Sequence, residues 1–221
     1  KSLIKMISII GGTGPEGKGL ALRLAMAGEQ LFIGSREESR GKEVAEQILE
    51  IKNIPPITVN GGSNLQAAKH GEIVIIATPY AGHKQTLIDY AKLLKNKIVI
   101  DVVVPLSFSK GQISTLPVSE GSVAEEAQEI LKESKVVGAF HNVSAEDLLI
   151  PNKMMDCDVI ICSNDQNSTN KVIELAEKIG GLRGIDGGKL HNSRYVEDFT
   201  ALLININKIY KTHSSIKISG I

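Results

Sequence analysis

The 221-residue chain is long for one compact unit and short for two full ones, so one main domain with a smaller appended lobe is expected. Apolar residues make up 42%, yet aromatics only 4% with no Trp, which leaves a core of Ile, Leu, Val and Ala and suits a parallel sheet covered by helices. Lys+Arg and Asp+Glu balance at 25 each, which excludes the electrostatic footprint of a nucleic-acid or anionic-membrane binder, and the apolar runs are too short to span a bilayer.

In chain order, strand-like and helix-like segments alternate. Residues 4–10 are a β-branched run ending at Gly11-Gly12. Residues 15–27 read as a helix, with Pro15 in its first turn and Gly28 just past its end. A second strand, Gln30-Leu31-Phe32-Ile33, stops at Gly34, and the polar stretch 37–52 is helical. Strands at 57–59, 73–77 and 98–104 alternate with helices at 64–69 and 81–94. Residues 105–121 are turn-rich and irregular, 123–133 a helix, 135–140 a strand, and 145–156 a connection around Pro151. Strand-like 159–162 and 184–185 bracket a helix at 167–179. In 192–210, Val196, Phe199, Leu203, Ile206 and Tyr210 fall at helical spacing and form one apolar stripe. Cys157 and Cys162 match neither a CxxC nor a zinc spacing. They are expected to be reduced, half-buried thiols of a cytoplasmic protein, and neither a metal site nor an N-terminal leader is expected. The alternation predicts an α/β fold, a Rossmann-type doubly wound parallel sheet over residues 1–140, with a smaller C-terminal α/β lobe over 141–221.

Gly12-Thr13-Gly14-Pro15-Glu16-Gly17 follows the first strand and opens the first helix, which is the setting a dinucleotide-binding glycine motif requires. Gly12 is expected to permit the tight turn, Gly14 to let a pyrophosphate approach the backbone, and Gly17 to let helix and strand pack closely. Free N–H groups and the helix dipole then face the phosphate charge. At the end of the second strand an NAD site would place an acidic residue for the ribose 2′-hydroxyl; Gly34-Ser35-Arg36 stands there instead. A hydroxyl followed by a guanidinium suits a 2′-phosphate, and Arg40, one turn on, and Thr13 are placed to join it. NADP(H) rather than NAD(H) is therefore expected. Thr78-Pro79-Tyr80 and Val103-Val104-Pro105 lie at the carboxyl ends of the fourth and fifth strands, where the ligand crevice of such sheets sits, and are expected to flank the nicotinamide.

Beyond these motifs the sequence resembles the deazaflavin-dependent NADP oxidoreductases, which exchange hydride between NADP(H) and coenzyme F420. The matching residues include Gly11-Gly12-Thr13-Gly14, Gly17-Lys18-Gly19-Leu20, Gly34-Ser35-Arg36, Val104-Pro105, Lys135-Val136-Val137 running to His141, and Leu190 with Asn192-Ser193-Arg194. Tyr80 stands where that family would have a larger Trp, and Asn142-Val143-Ser144 replaces a more apolar stretch. The resemblance implies NADP(H) and coenzyme F420 as the hydride partners, a homodimer, and a second-cofactor contact at His141. It implies no catalytic side chain, since the cofactors carry the chemistry and the protein aligns them. The glycine motif alone is also compatible with an NADP(H)-dependent reductase of a flavin, metal chelate or imine, or with a non-enzymatic NADP(H) sensor. His70, His83 and His213 show no partner pattern in the sequence.

Overall fold

A computed structural model describes residues 6–109 and 111–221; residues 4 and 5 of the expected first strand lie outside them. The elements in chain order are β1 (Met6–Ile10), α1 (Pro15–Met26), β2 (Gln30–Ser35), α2 (Glu38–Leu49), β3 (Val59–Ser63), α3 (Asn64–His70), β4 (Ile73–Ile76), α4 (Tyr80–Leu94) and β5 (Ile98–Asp101). There follow β6 (Leu106–Ser109), β7 (Gln112–Thr115), α5 (Val123–Ile130), β8 (Lys135–Gly138), α6 (Ala145–Leu148), β9 (Cys157–Ser163), α7 (Gln166–Glu177), β10 (Leu182–Asp186) and α8 (Ser193–Tyr210).

Eight strands form one sheet in the order β10-β9-β8-β5-β4-β1-β2-β3. All neighbours are parallel except β8 and β9. The chain therefore winds outward from β1 in both directions, the doubly wound pattern expected from the alternation. The strands read as continuous β-branched runs because both faces are covered. Ile9, Ile75 and Ile100 sit in register across β1, β4 and β5, all fully buried. Burial of each such side chain contributes about 1.5–3 kcal/mol. One face packs on α1, α2 and α7 through Leu20, Leu24, Ile48, Val172 and Leu175. The other packs on α3, α4 and α5 through Ala67, Leu87, Val123 and Ala127.

Several boundaries differ from expectation for identifiable reasons. β2 continues through Gly34 to Ser35. β3 runs 59–63 rather than 57–59, straight through Gly61-Gly62, residues disfavoured in strands on propensity alone. Contact overrides propensity here: a Cβ on Gly61 would stand 2.0 Å from the Gly41 carbonyl oxygen of α2. The stretch expected to be irregular contains the antiparallel hairpin β6–β7. Asn205 of α8 fixes that hairpin, accepting from Ile113 N at 3.1 Å and donating to Ile113 O at 2.6 Å. Such a pairing across 92 residues has no local signal. The connection around Pro151 opens with the one-turn helix α6.

Residues beyond 140 add β9 and β10 to the same sheet. α6 is locked to α1 by buried Arg23, whose Nε donates to Leu148 O at 3.0 Å, and by Gly19, where a Cβ would lie 2.7 Å from Leu148 Cβ. Cys157 and Cys162 are free and fully buried rather than half-buried, and burial pushes the Cys162 thiol up to about 11. The α8 stripe is met in part, at Val196 and Leu203. Val196, Thr200, Ala201 and Leu203 are buried, while Phe199 and Tyr210 face outward.

Candidate active site

The glycine loop is built as its spacing implies, with one exchange of roles. The left-handed turn belongs to Gly11, at φ +80°, not to Gly12; a Cβ on Gly12 would instead strike Ile33 Cγ2 at 2.8 Å. Gly17 brings the helix onto the loop, since a Cβ there would lie 2.7 Å from the Gly11 carbonyl oxygen. Above Gly14 the space is open, with no protein atom nearer than 3.7 Å to a built Cβ. Asn64 Oδ1 accepts from Gly11 N at 3.0 Å and Gly34 O accepts from Gly12 N at 2.8 Å, so the loop is held from below. Gly14 caps α1 without a side-chain hydrogen bond and Pro15 follows as its first residue. The first-turn N–H groups are thus left for an anion.

The 2′-phosphate candidates cluster beside this loop. Thr13 Oγ1 lies 3.4 Å from Ser35 Oγ, and Ser35 Oγ also accepts from Glu37 N at 3.4 Å. Arg36 and Arg40 are exposed, and neither guanidinium has an acceptor among the described residues. Open backbone above Gly14, uncapped helix donors, two adjoining hydroxyls and two unpaired guanidiniums fit a phosphorylated dinucleotide. These are features a sequence pattern can suggest and only packing can assemble.

A cleft of about 670 Å³ opens past the carboxyl ends of β4 and β5. Glu16, Thr78, Pro79, Tyr80, Val104 and His141 all line it. Pro105 does not: it is buried behind the wall, where its carbonyl accepts from Leu116 N at 2.7 Å and closes the hairpin. Val103 lines it as expected, whereas Val102 beside it, Thr200, Leu203 and Ile204 from α8, and His213 beyond α8 line it without having been anticipated from the sequence. Val143 and Ser144 complete the wall from the loop before α6.

The cleft holds buried polar atoms with no hydrogen-bond partner among the described residues: Glu16 Oε1, Thr78 Oγ1, both ring nitrogens of His141, and Asn142 Oδ1. Unpaired polar atoms in a protein interior cost about 1–3 kcal/mol each, so their convergence on one cavity fits a polar ligand. Burial drops the His141 imidazole to about 4 and raises the Glu16 carboxyl to about 8, so both are neutral near pH 7. The Asn142 amide is aimed by its Nδ2, which donates to Asp158 O at 2.7 Å.

Two histidines without a sequence pattern have partners in the fold. His83, fully buried on α4, lies 2.6 Å from Asp101 at the end of β5, and Asp101 Oδ1 accepts from Val103 N at 3.0 Å. Burial pulls the His83 imidazole down, but Asp101 together with Glu126 and Glu197 outweighs it and the net direction is upward. The pair stiffens the Val102–Val103 wall. His213 bridges Asp147 at 2.5 Å and Glu146 at 2.9 Å, and the Asp147 hydrogen bond raises it. His70 stacks on Phe32 with ring centroids 4.8 Å apart.

Leu190-His191-Asn192-Ser193-Arg194 lies away from the cleft. Asn192 donates to Gly187 O at 2.7 Å, Ser193 packs against Gly138, and Arg194 pairs with Glu125 at 2.8 Å. Neither Asn192 nor Ser193 caps α8 through its side chain. No helix among the described residues is long and apolar enough to cross a membrane.

Comparison with known proteins locates this geometry. Residues 6–105 match the family model described as NADP oxidoreductase, coenzyme F420-dependent. The F420-dependent NADP reductase of Methanocaldococcus jannaschii is 43% identical over 210 residues, 93% of this chain and 94% of that protein. Its namesake in Methanothermobacter thermautotrophicus is 38% identical over 211 residues, 94% and 91% of the two chains. A crystal structure from Arthrobacter sp. FB24, assigned as an F420-dependent NADP-reductase, superposes with a TM-score of 0.81 at 26% identity, covering 99% of this chain and all of that one.

Proposed function

This chain belongs to the coenzyme F420-dependent NADP oxidoreductases, and on that premise we propose that its two cofactors meet in the cleft beyond β4 and β5. The protein is an oxidoreductase that transfers a hydride between NADP(H) and coenzyme F420. When bound, the two cofactors supply the donor and acceptor carbons. The residues of this chain bind, orient and exclude water. The carrying observation is that Glu16, in the first turn of the helix opened by the glycine loop, lines a walled cleft with partnerless buried polar atoms.

In this reading residues 1–140 hold NADP(H). Gly12, Gly14, Pro15, Gly17 and the first turn of α1 take the pyrophosphate, while Thr13, Ser35, Arg36 and Arg40 take the 2′-phosphate. Thr78, Pro79, Tyr80 and Val104 flank the nicotinamide. Residues 141–221 complete the deazaflavin side, where neutral His141 and Asn142 offer polar atoms and Val143, Leu203 and Ile204 exclude water. The protein acts as a homodimer. Tyr195, Phe199, Leu202 and Ile209 leave an apolar stripe exposed along α8, which supports a two-fold seam. We place it in the cytoplasm, where two free thiols are stable.

The cleft assignment is tested by Ile204→Trp, which fills the deazaflavin side from α8. NADPH binding by fluorescence titration is expected to stay within about twofold, while hydride transfer to F420 falls at least about a hundredfold, as for a misplaced acceptor. Unchanged transfer in that variant would remove the deazaflavin from this cleft.

A further inference from the structure

Glu16 is the one acidic side chain within the glycine motif, and it lines the cleft rather than facing solvent. Its Oε1 is sealed from solvent and has no hydrogen-bond partner among the described residues. A carboxyl so placed is an odd choice beside a polyanion. Its charge state there bears on which form of a charged ligand binds.

From this placement we infer that Glu16 is a redox-state-sensing residue of the cofactor site, a carboxyl whose ionisation selects oxidised over reduced NADP. This inference rests on the cleft being the nicotinamide end of the NADP(H) site. The oxidised nicotinamide ring carries a positive charge and the reduced ring none. The pyrophosphate and 2′-phosphate are common to both forms, so their repulsion of an anionic Glu16 cancels when the two forms are compared. What remains is the ring. A neutral Glu16 treats the two rings nearly alike, and an ionised one attracts only the oxidised ring.

Burial alone raises the Glu16 carboxyl to about 8, with no charged neighbour contributing. The titratable groups facing the cleft from other elements are Tyr80 on α4, His141 after β8, Glu146 on α6, Lys208 on α8, and Lys211 and His213 after it. His141 is held neutral far below this range and the Tyr80 phenol is shifted upward, away from it. His213 is raised by Asp147 and titrates closer to it, which calls for a control.

The test is the ratio of dissociation constants, NADP+ over NADPH, measured by calorimetric titration of the full-length protein without F420 from pH 6.5 to 9.5. The ratio should fall at least roughly tenfold as pH rises through the Glu16 transition, the size expected for unit charges about 12 Å apart at an effective dielectric of about 20 and a lower bound for closer ones. Glu16→Gln should hold the ratio flat near its low-pH value, and His213→Gln should keep the wild-type slope. A flat wild-type ratio with tight binding of both forms would overturn the inference alone. So would an unchanged slope in Glu16→Gln, since another group would then be titrating. Absence of any NADP(H) binding would overturn the cofactor reading and this inference with it.

Discussion

Arg36 is exposed and has no acceptor among the described residues, which leaves its guanidinium available to a ligand. Arg36→Ala should weaken NADP(H) binding roughly tenfold, the modest figure suited to a solvent-screened phosphate contact, and leave NAD(H) binding unchanged. Parallel titrations of the two cofactors measure this, and equal losses would remove the 2′-phosphate assignment. This residue was legible because Gly34-Ser35-Arg36 occupies a position whose chemistry the strand-loop-helix pattern fixes in advance. His83 was not. Its partner Asp101 lies 18 residues away, and only the docking of α4 against β5 brings the two within 2.6 Å. The state of Glu16 was equally hidden, because the motif gives its place but not the packing that seals Oε1.

Among the elements, the described part of the first βαβ unit was readable to within two residues, since Gly11, Pro15 and Gly28 punctuate it and Ile7, Ile9 and Ile10 supply the strand. β3 and the β6–β7 hairpin were not, because each depends on a distant partner: Gly41 for the one and Asn205 for the other. The α8 stripe was placed correctly by period, but only Val196 and Leu203 of it face the core, while Phe199 and Tyr210 do not. Period 3.6 is a property of the segment, whereas the direction it faces is set by what it docks on. The outward stripe of Tyr195, Phe199, Leu202 and Ile209 carries an expectation of its own. Sedimentation analysis should give a dimer for the wild type and a monomer with retained helical signal for Leu202→Lys. A wild type that sediments as a monomer at tens of micromolar would remove the seam.

At the scale of the whole molecule, several buried or paired groups tie stability to pH with the same sign. Glu16 and Glu197 are raised by burial from 4.5 to about 8; Glu197 is raised even though it accepts from Val123 N and Ala124 N at the start of α5. Above pH 4.5 the unfolded chain releases these two protons while the folded protein keeps them, so stability falls until the folded groups titrate. His83 and His213, raised above 6.5 by their aspartates, contribute stability that is also lost as pH rises through their folded values. His141, buried neutral, opposes this only below about 6.5. The ligand-free protein should therefore melt lower at pH 9 than at pH 6.5, by about 2–4 °C for each kcal/mol lost. A melting temperature that rises over that interval would contradict these assignments.

The central claim is hydride exchange between NADP(H) and the deazaflavin in the cleft beyond β4 and β5. Its most direct test mixes the purified protein anaerobically with NADPH and oxidised F420 and follows the loss of deazaflavin absorbance, with NADH as the control. Rapid bleaching with NADPH and little with NADH is the expected result. No bleaching by a protein that demonstrably binds NADPH would contradict it.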